Sequence, residues 1–446
     1  MSENMFFIQD KRNQMLRNNI LLSGVLKAIG LLSSLVIVPI TINYLKNEIY
    51  GVWMTISSIL FWISTFDIGL GNGMRNYLTE AITKKDFKTG KRYISTTFIQ
   101  LGIIAATIFV ITLIPAYTLN FNHIFNTTEL SGLELRNTVL IAIAFTLLNF
   151  VLRNIGYIFI ALQMYALNEL LNVSANVLSL LIIYVLTRFT GGTLVYIVFS
   201  YTATTTAVYL LAAIPIFRRY PQLSPSWKSY DRSISNKIIG KGLGFFLIEI
   251  TSCLVIFGAA NIFITQICGP SQVTVYNIAY KFFNILVIAY TIIIAPMWNA
   301  YTDAAVKGDW QWIQKNFRRS IYFWIASVVG GAIMLYLCPI FYKIWVGDKV
   351  TVPSTISLST LIYVCFFNLN NCATYLINGL NKIRIQIITS ISVTTLYIII
   401  TLTFTRRFKV EGIILSMATS YAIMSLIHLY QCNLLIYQKA KGIWNK

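Results

Sequence analysis

Four charged residues, Lys27, Arg153, Glu249 and Lys281, stand inside long apolar runs of the chain. Charge is expensive in such surroundings, so these side chains are expected to face water-filled space or a partner. Three of the four are cations. Arginine offers a planar fork and lysine a mobile point charge, and both suit phosphate oxygens. The competing reading is that each cation pairs with a carboxylate or carbonyl and only locks helices together. Glu249 has two readings of its own: a coupling site for H⁺ or Na⁺, with its pKa raised by burial, or one half of a salt bridge. Asparagines form a third set. Asn368, Asn370 and Asn371 lie in "FNLNNCATYLING" (367–379), and Asn168, Asn172 and Asn176 recur at every fourth position. Such a stripe runs along one helix face. It serves either to hydrogen-bond helices to one another or as a polar wall for hydroxyl-rich ligands; the second is the reading carried for Asn368, Asn370 and Asn371.

The stretch "DIGLGNGMRN" (67–76) raises a different chemistry, because glycine-rich turns cradle phosphates. A nucleotide loop needs a strand before it and a G-x-G-x-x-G spacing. Here the spacing is G-x-G-x-G and a long apolar run precedes it. Gly69, Gly71 and Gly73 therefore read as points of hinge motion or close helix packing, and Asp67 as a gate or brace pairing with a basic residue. No metal site is expected: six cysteines lie mostly within apolar runs without a CxxC pair, and His123 and His428 are far apart. No set of residues suggests catalysis.

The elements that must position these residues are membrane helices. The chain has 446 residues, 57% hydrophobic and only 11% charged, whereas soluble domains average about 25% charged. Apolar runs of about 20 residues, enough to cross a bilayer, recur along its length. Lipid leaves backbone groups no partner outside a helix. The expected fold class is an all-α polytopic membrane protein of about 12 transmembrane helices. Their expected ranges are 19–44, 49–74, 93–119, 138–162, 168–187, 192–217, 238–264, 273–300, 320–342, 355–378, 383–404 and 411–437. The first run is too long for a cleavable signal and is expected to remain as a span. Lys and Arg concentrate in 75–92, 218–237 and 301–319, which places both termini in the cytoplasm. The junction at 162–168 is weak, having no Gly, Pro or basic residue.

An internal repeat supports an even count. "EAITKKDF" (80–87) and "DAAVKGDW" (303–310) share the pattern acidic-Ala-x-x-Lys-x-Asp-aromatic and lie 223 residues apart, half of 446. Asn76 and Asn299 coincide at the same offset, and Lys27 and Glu249 fall one position from coinciding. Two pseudo-symmetric six-helix lobes follow, residues 1–217 and 238–446, joined by a basic cytoplasmic linker at 218–237. Parallel repeats of this kind typically place a substrate between the halves near the midplane.

The N-terminal quarter resembles the polysaccharide flippases of the MOP superfamily, the Wzx-type exporters of O-antigen and capsule. The residues that carry the likeness are "VPITINYLKNEIYGVWMTISSILFWISTFDIGLGNGMRN" (38–76) and "TEAITKKDFKTGKRYIS" (79–95). They hold the family's late Pro, Tyr-Leu, Tyr-Gly, Trp and D-x-G-x-G stretch over about sixty residues. The resemblance implies two lobes around a central cavity and alternating access. It also implies a substrate of undecaprenyl-diphosphate carrying an oligosaccharide, moved from the inner to the outer leaflet of the bacterial cytoplasmic membrane. On that footing Lys27, Arg153 and Lys281 are expected to hold the diphosphate. Expected partners are the lipid-linked oligosaccharide, the bilayer, and a polymerase with other glycan-assembly proteins, with no nucleic acid. No cofactor is expected beyond a coupling ion, H⁺ or Na⁺. The alternative is a cation-coupled exporter of small organic cations in the same superfamily, whose cavity should carry carboxylates where this chain carries cations. A membrane enzyme is disfavoured because the longest outer loop, about 120–137, is thin for a catalytic site.

Overall fold

The computed structural model describes residues 2–65, 70–236 and 258–445. Within them the regular elements are helices, with no strand among the described residues. The α-helices are α1 (Ser2–Leu45), α2 (Asn47–Thr65), α3 (Leu70–Thr83), α4 (Phe87–Thr118), α5 (Phe121–Phe125), α6 (Gly132–Leu152), α7 (Asn154–Ala161), α8 (Tyr165–Phe189) and α9 (Leu194–Arg219). They continue with α10 (Ala259–Cys268), α11 (Pro270–Ile294), α12 (Met297–Val306), α13 (Trp310–Val346), α14 (Ser354–Gly379) and α15 (Arg384–Ile436). Nine helical stretches among the described residues are long and apolar enough to cross a membrane. The expected second and seventh helices run partly through 66–69 and 237–257, outside the described residues.

The longest element, α15, would measure about 80 Å at 1.5 Å per residue, far beyond the ~30 Å of a hydrocarbon core. It is two helices. Lys409 leaves the helical region at φ 47° and ψ −124°, and Thr389 Oγ1 lies 2.8 Å from His428 Nε2. Residues so far apart in sequence can meet only if the chain folds back at Lys409, as the separate expected helices 383–404 and 411–437 require.

The weak junction is also a turn. At Gln163 the backbone takes φ 63°, and the Met164 N–H donates to Phe159 O at 2.8 Å. This is the six-to-one bond of a Schellman cap, which usually recruits glycine. Using Gln in the left-handed region leaves no compositional mark, which explains the missing signal.

The repeat is written into the backbone. Lys85 and Gly308, 223 residues apart, both have positive φ, 58° and 73°. After each, an aspartate N–H bonds the carbonyl five residues back: Asp86 to Ala81 and Asp309 to Ala304, both 2.9 Å. Each aspartate then caps the next helix, its carboxylate accepting from Thr89 N–H or Trp312 N–H at 3.0 Å. Lys84–Glu80 and Lys307–Asp303 ion pairs of 2.6 Å complete both copies. Lys46 and Gly269, again 223 apart, are a second pair of positive-φ turns. The ion pairs are exposed and contribute little energy; the shared turn and cap define the motif.

The chain divides into two compact units, one of residues 1–46, 59–124 and 128–246, the other of 47–58, 125–127 and 247–446. In the first, α1 packs on α8, α9 on α6 and α8, and α3 on α4 and α7. Met74, Leu78, Ile94, Ile155, Ile158 and Leu223 form a shared core there. Leu223 comes from the 218–236 segment, which folds onto α4. In the second unit α14 is central, touching α11, α12, α13 and α15.

Candidate functional site

The second unit holds a polar knot built on α2, α10 and α11. Asn277 Nδ2 donates to Asn261 Oδ1 at 2.9 Å. Asn261 Nδ2 in turn donates to Ser58 Oγ at 2.8 Å and to Met54 O at 3.3 Å. The hydroxyls of Thr55 and Thr265 pair nearby, and Thr274 donates to Asn47 O at 2.7 Å. Interhelical hydrogen bonds in membranes average about 0.6 kcal/mol each, so several together suffice to tie residues 47–58 to this unit. Close approach makes the knot feasible. A Cβ on Gly51 would sit 1.8 Å from Pro270 O, so only glycine lets α2 meet the start of α11 there. The tip of the 120–137 loop joins the same unit: Asn126 Nδ2 donates to Thr265 O at 3.1 Å, and Thr127 donates to the Glu48 carboxylate.

Lys281 lies one turn beyond Asn277 on the same face of α11. Its ammonium donates to the hydroxyl of Tyr50 at 3.4 Å, and Tyr50 is 1% exposed. No carboxylate pairs with Lys281 among the described residues. One turn further, Asn284 accepts from Tyr280 at 3.1 Å. The result is a polar face of Asn277, Tyr280, Lys281 and Asn284 along a mostly apolar helix. The Tyr-Gly pair of the sequence resemblance thus has two jobs: Gly51 permits contact and Tyr50 aims a lysine.

In the first unit Arg153 is the single residue between α6 and α7, capping the end of one and the start of the other in helical backbone, with φ −59° and ψ −17°. It is half-buried and lies 5.9 Å from the Phe150 ring centre. The expected helix 138–162 falls, but for its last residue, within one continuous apolar stretch, Gly132–Ala161, with the cation at the seam between its two helical segments. Tyr209 on α9 donates to Asn172 Oδ1 at 2.8 Å, so the 168–172–176 stripe does join helices at its middle member. Gly71 packs against α7: a Cβ there would lie 2.2 Å from the Tyr157 ring and 2.8 Å from Asn154 Oδ1. Lys27 is exposed on α1, with no ion-pair partner among the described residues. Gly73 is half-buried in α3. Asp67, Gly69 and Glu249 lie outside the described residues.

The α14 asparagines differ from one another. Asn370 Oδ1 is 2.8 Å from His428 Nδ1, and the ring's other nitrogen meets Thr389, which binds α14 to both arms of α15. Asn368 donates to Leu286 O at 3.5 Å while its own carbonyl oxygen, buried, has no partner among the described residues. Asn371 is half-buried. Reasoning from sequence missed Tyr50, Asn261 and Asn277. The last was legible, since Asn277, Lys281 and Asn284 fall at i, i+4 and i+7; Tyr50 and Asn261 needed the fold.

No group of three or more metal-ligating side chains occurs among the described residues. No family model matches the chain. It is 25% identical over 304 residues to a protein of Salmonella typhimurium named "Putative O-antigen transporter", covering 66% of this chain and 67% of that protein. A protein of the same name from Salmonella typhi is 24% identical over 319 residues, covering 69% and 68%. Among solved structures, an inward-facing multidrug resistance MATE family transporter of the MOP superfamily superposes with a TM-score of 0.78 at 14% identity, covering 94% of this chain and 98% of the other. A MOP superfamily transporter from Pyrococcus furiosus Vc1, described as having a binding pocket of reverse polarity, gives 0.66 at 14% identity, covering 96% of each chain. The structural likeness carries the fold and the sequence likeness points to a branch: the chain has the fold of MATE and MOP superfamily transporters and the long apolar helices of a multi-pass membrane protein, and it is similar in sequence to proteins named as O-antigen transporters.

Proposed function

We propose that the chain is a flippase that carries an undecaprenyl-diphosphate-linked oligosaccharide from the inner to the outer leaflet by alternating access. The observation that carries the reading is the charge of its intramembrane sites. Lys281 stands on a polar helix face with a tyrosine, and no described carboxylate, beside it. Arg153 lies at the junction of α6 and α7 and Lys27 at an exposed position on α1. Cations placed so favour phosphate oxygens, and a chain built to carry organic cations would need the opposite sign. The Salmonella relatives point to a glycan as the cargo. In this reading Lys27, Arg153 and Lys281 bind the diphosphate, and Asn368 and Asn371 offer amides to sugar hydroxyls. Glu249 and Asp67 act as coupling sites or braces, and Gly69, Gly71 and Gly73 serve helix motion or packing. The partners are the lipid-linked glycan, a polymerase and other glycan-assembly proteins, and the termini lie in the cytoplasm.

Deleting the protein should leave lipid-linked oligosaccharide in the inner leaflet, and wild type should restore export. The triple variant Lys27→Gln, Arg153→Gln, Lys281→Gln, present in the membrane at wild-type level, should not restore it. Export by that variant at the wild-type rate would remove the diphosphate-binding role.

A further inference from the structure

The segment 218–236 is pinned along one flank of α4. The Ser226 N–H donates to Ser95 Oγ at 2.9 Å, and the Asp231 N–H to Thr96 Oγ1 at 3.0 Å. The Asp231 carboxylate accepts from Arg92. Beyond these polar attachments, Phe98, Ile99, Gly102, Ile103 and Ala106 of α4 floor an apolar trough, and Pro225 and Trp227 roof it. The cavity measures about 520 Å³. Its depth comes from the small residues Gly102 and Ala106, one turn apart; a Cβ added at Gly102 meets nothing within 4 Å.

Where the trough lies follows from helix length. At 32 residues, α4 is about 48 Å long, so it outreaches a ~30 Å hydrocarbon layer. Its first turns carry Lys88, Lys91 and Arg92 and belong in the headgroup region; the apolar floor begins at Phe98, less than two turns further on, past the polar Ser95, Thr96 and Thr97. Trp227 is 77% exposed and Ile103 50% exposed, the placement expected of an interfacial indole above an acyl-facing side chain. The segment that roofs the trough is cationic, and Lys228 directly follows the roofing Trp227. Arg218, Arg219, Lys228 and Arg232 are exposed, and the segment's single acid, Asp231, is already taken by Arg92.

An apolar slot under a cationic segment at the depth of the headgroups matches one chemistry. We propose that this trough binds an anionic phospholipid of the bilayer, its acyl chain along Gly102 and Ala106 and its phosphate against Lys228 and Arg232. The lipid would fasten the 218–236 segment to α4 from the membrane side, as Ser226 and Asp231 fasten it from the polar side.

The test uses the full chain in nanodiscs of phosphatidylethanolamine containing a minor fraction of phosphatidylglycerol, with native mass spectrometry counting retained lipid. Wild type should retain phosphatidylglycerol in preference to phosphatidylethanolamine, and less of it as salt rises. The exposed double variant Lys228→Gln, Arg232→Gln should weaken that retention roughly thirtyfold, from about one surface-cation contribution per residue. Gly102→Leu, filling open space, should lower retention with the cations intact and with an unchanged melting temperature in phosphatidylethanolamine alone. Equal retention of the two lipids by wild type, or phosphatidylglycerol retention unchanged in both variants, would overturn the proposal. So would displacement of phosphatidylglycerol by equimolar undecaprenyl phosphate, which would make the carrier lipid the occupant. The assay reads lipid retention and not glycan export, so its failure leaves the flippase reading standing.

Discussion

Tyr50 and Gly51 are neighbours in sequence, yet their substitutions should fail in different ways. Tyr50 holds Lys281 through its hydroxyl, so Tyr50→Phe keeps the buried ring and loses the contact. A hydrogen bond to a charged group is worth about 1.5–3 kcal/mol; at 3.4 Å this one belongs at the low end, and export should fall about tenfold. Melting temperature in detergent should stay at the wild-type value. Lys281→Met should abolish export, and Lys281→Arg should restore part of it if charge is what matters. A Tyr50→Phe variant with full export would show that Lys281 needs no positioning. Gly51→Ala is a packing lesion, because the new methyl would overlap Pro270 O. Overpacking of this kind costs about 1–3 kcal/mol, read as a lowered melting temperature together with lost export. The polar face of α11 was legible as i, i+4, i+7 spacing. The partners that complete it come from α2 and α10, more than 200 residues away in the case of α2, and no periodicity within one helix can announce them.

The repeated turn is where elements, and not single side chains, can be tested. Asp86 accepts from Thr89 through its carboxylate, and that bond holds its carboxyl below the usual carboxylate range. A depressed folded pKa means the stabilisation is fully present above the unfolded carboxylate value and fades as pH falls through the folded one. Melting temperature should therefore drop on acidification below about pH 4. Asp86→Asn, which still caps the helix, should flatten that part of the profile without moving the plateau at neutral pH. Asp231 adds to the same limb, its carboxyl lowered by Ser233 first and by Arg92 as well. At the second copy Asp309→Ala should cost about 1 kcal/mol, since the Trp312 N–H loses its acceptor. The motif was readable because its side chains are part of its geometry: an acid to pair, an aspartate to cap, a lysine one turn on. The turns at Lys46, Gln163 and Lys409 were not readable in the same way. Each places a long side chain in the left-handed region where glycine or asparagine is the usual signal. Their positions had to be inferred from hydropathy, and the backbone supplies the detail.

At the scale of the whole molecule the question is what drives an anionic cargo outward. A diphosphate carries roughly two negative charges, and moving them out of an inside-negative cell gains about 4–5 kcal/mol per 100 mV. Bound cations that travelled with the cargo would cancel that gain. Side chains fixed to helices at Lys27, Arg153 and Lys281 cancel only the part of the field they themselves cross. The expected outcome is that export in proteoliposomes loaded with lipid-linked oligosaccharide accelerates when an inside-negative potential is imposed with a potassium gradient and valinomycin, at constant pH and sodium. Raising the potential from zero to about 100 mV should change the rate by at least tenfold if even a third of the available energy acts on the limiting step. Substituting one cation by glutamine should leave more net negative charge on the moving complex. Its rate, lower at zero potential through weaker binding, should then depend more steeply on voltage than that of wild type. A rate flat with voltage, yet responsive to a pH or sodium gradient, would mean that the cargo crosses electrically neutral. The drive would then belong to a coupling ion, with Glu249 or Asp67 as its first place to look.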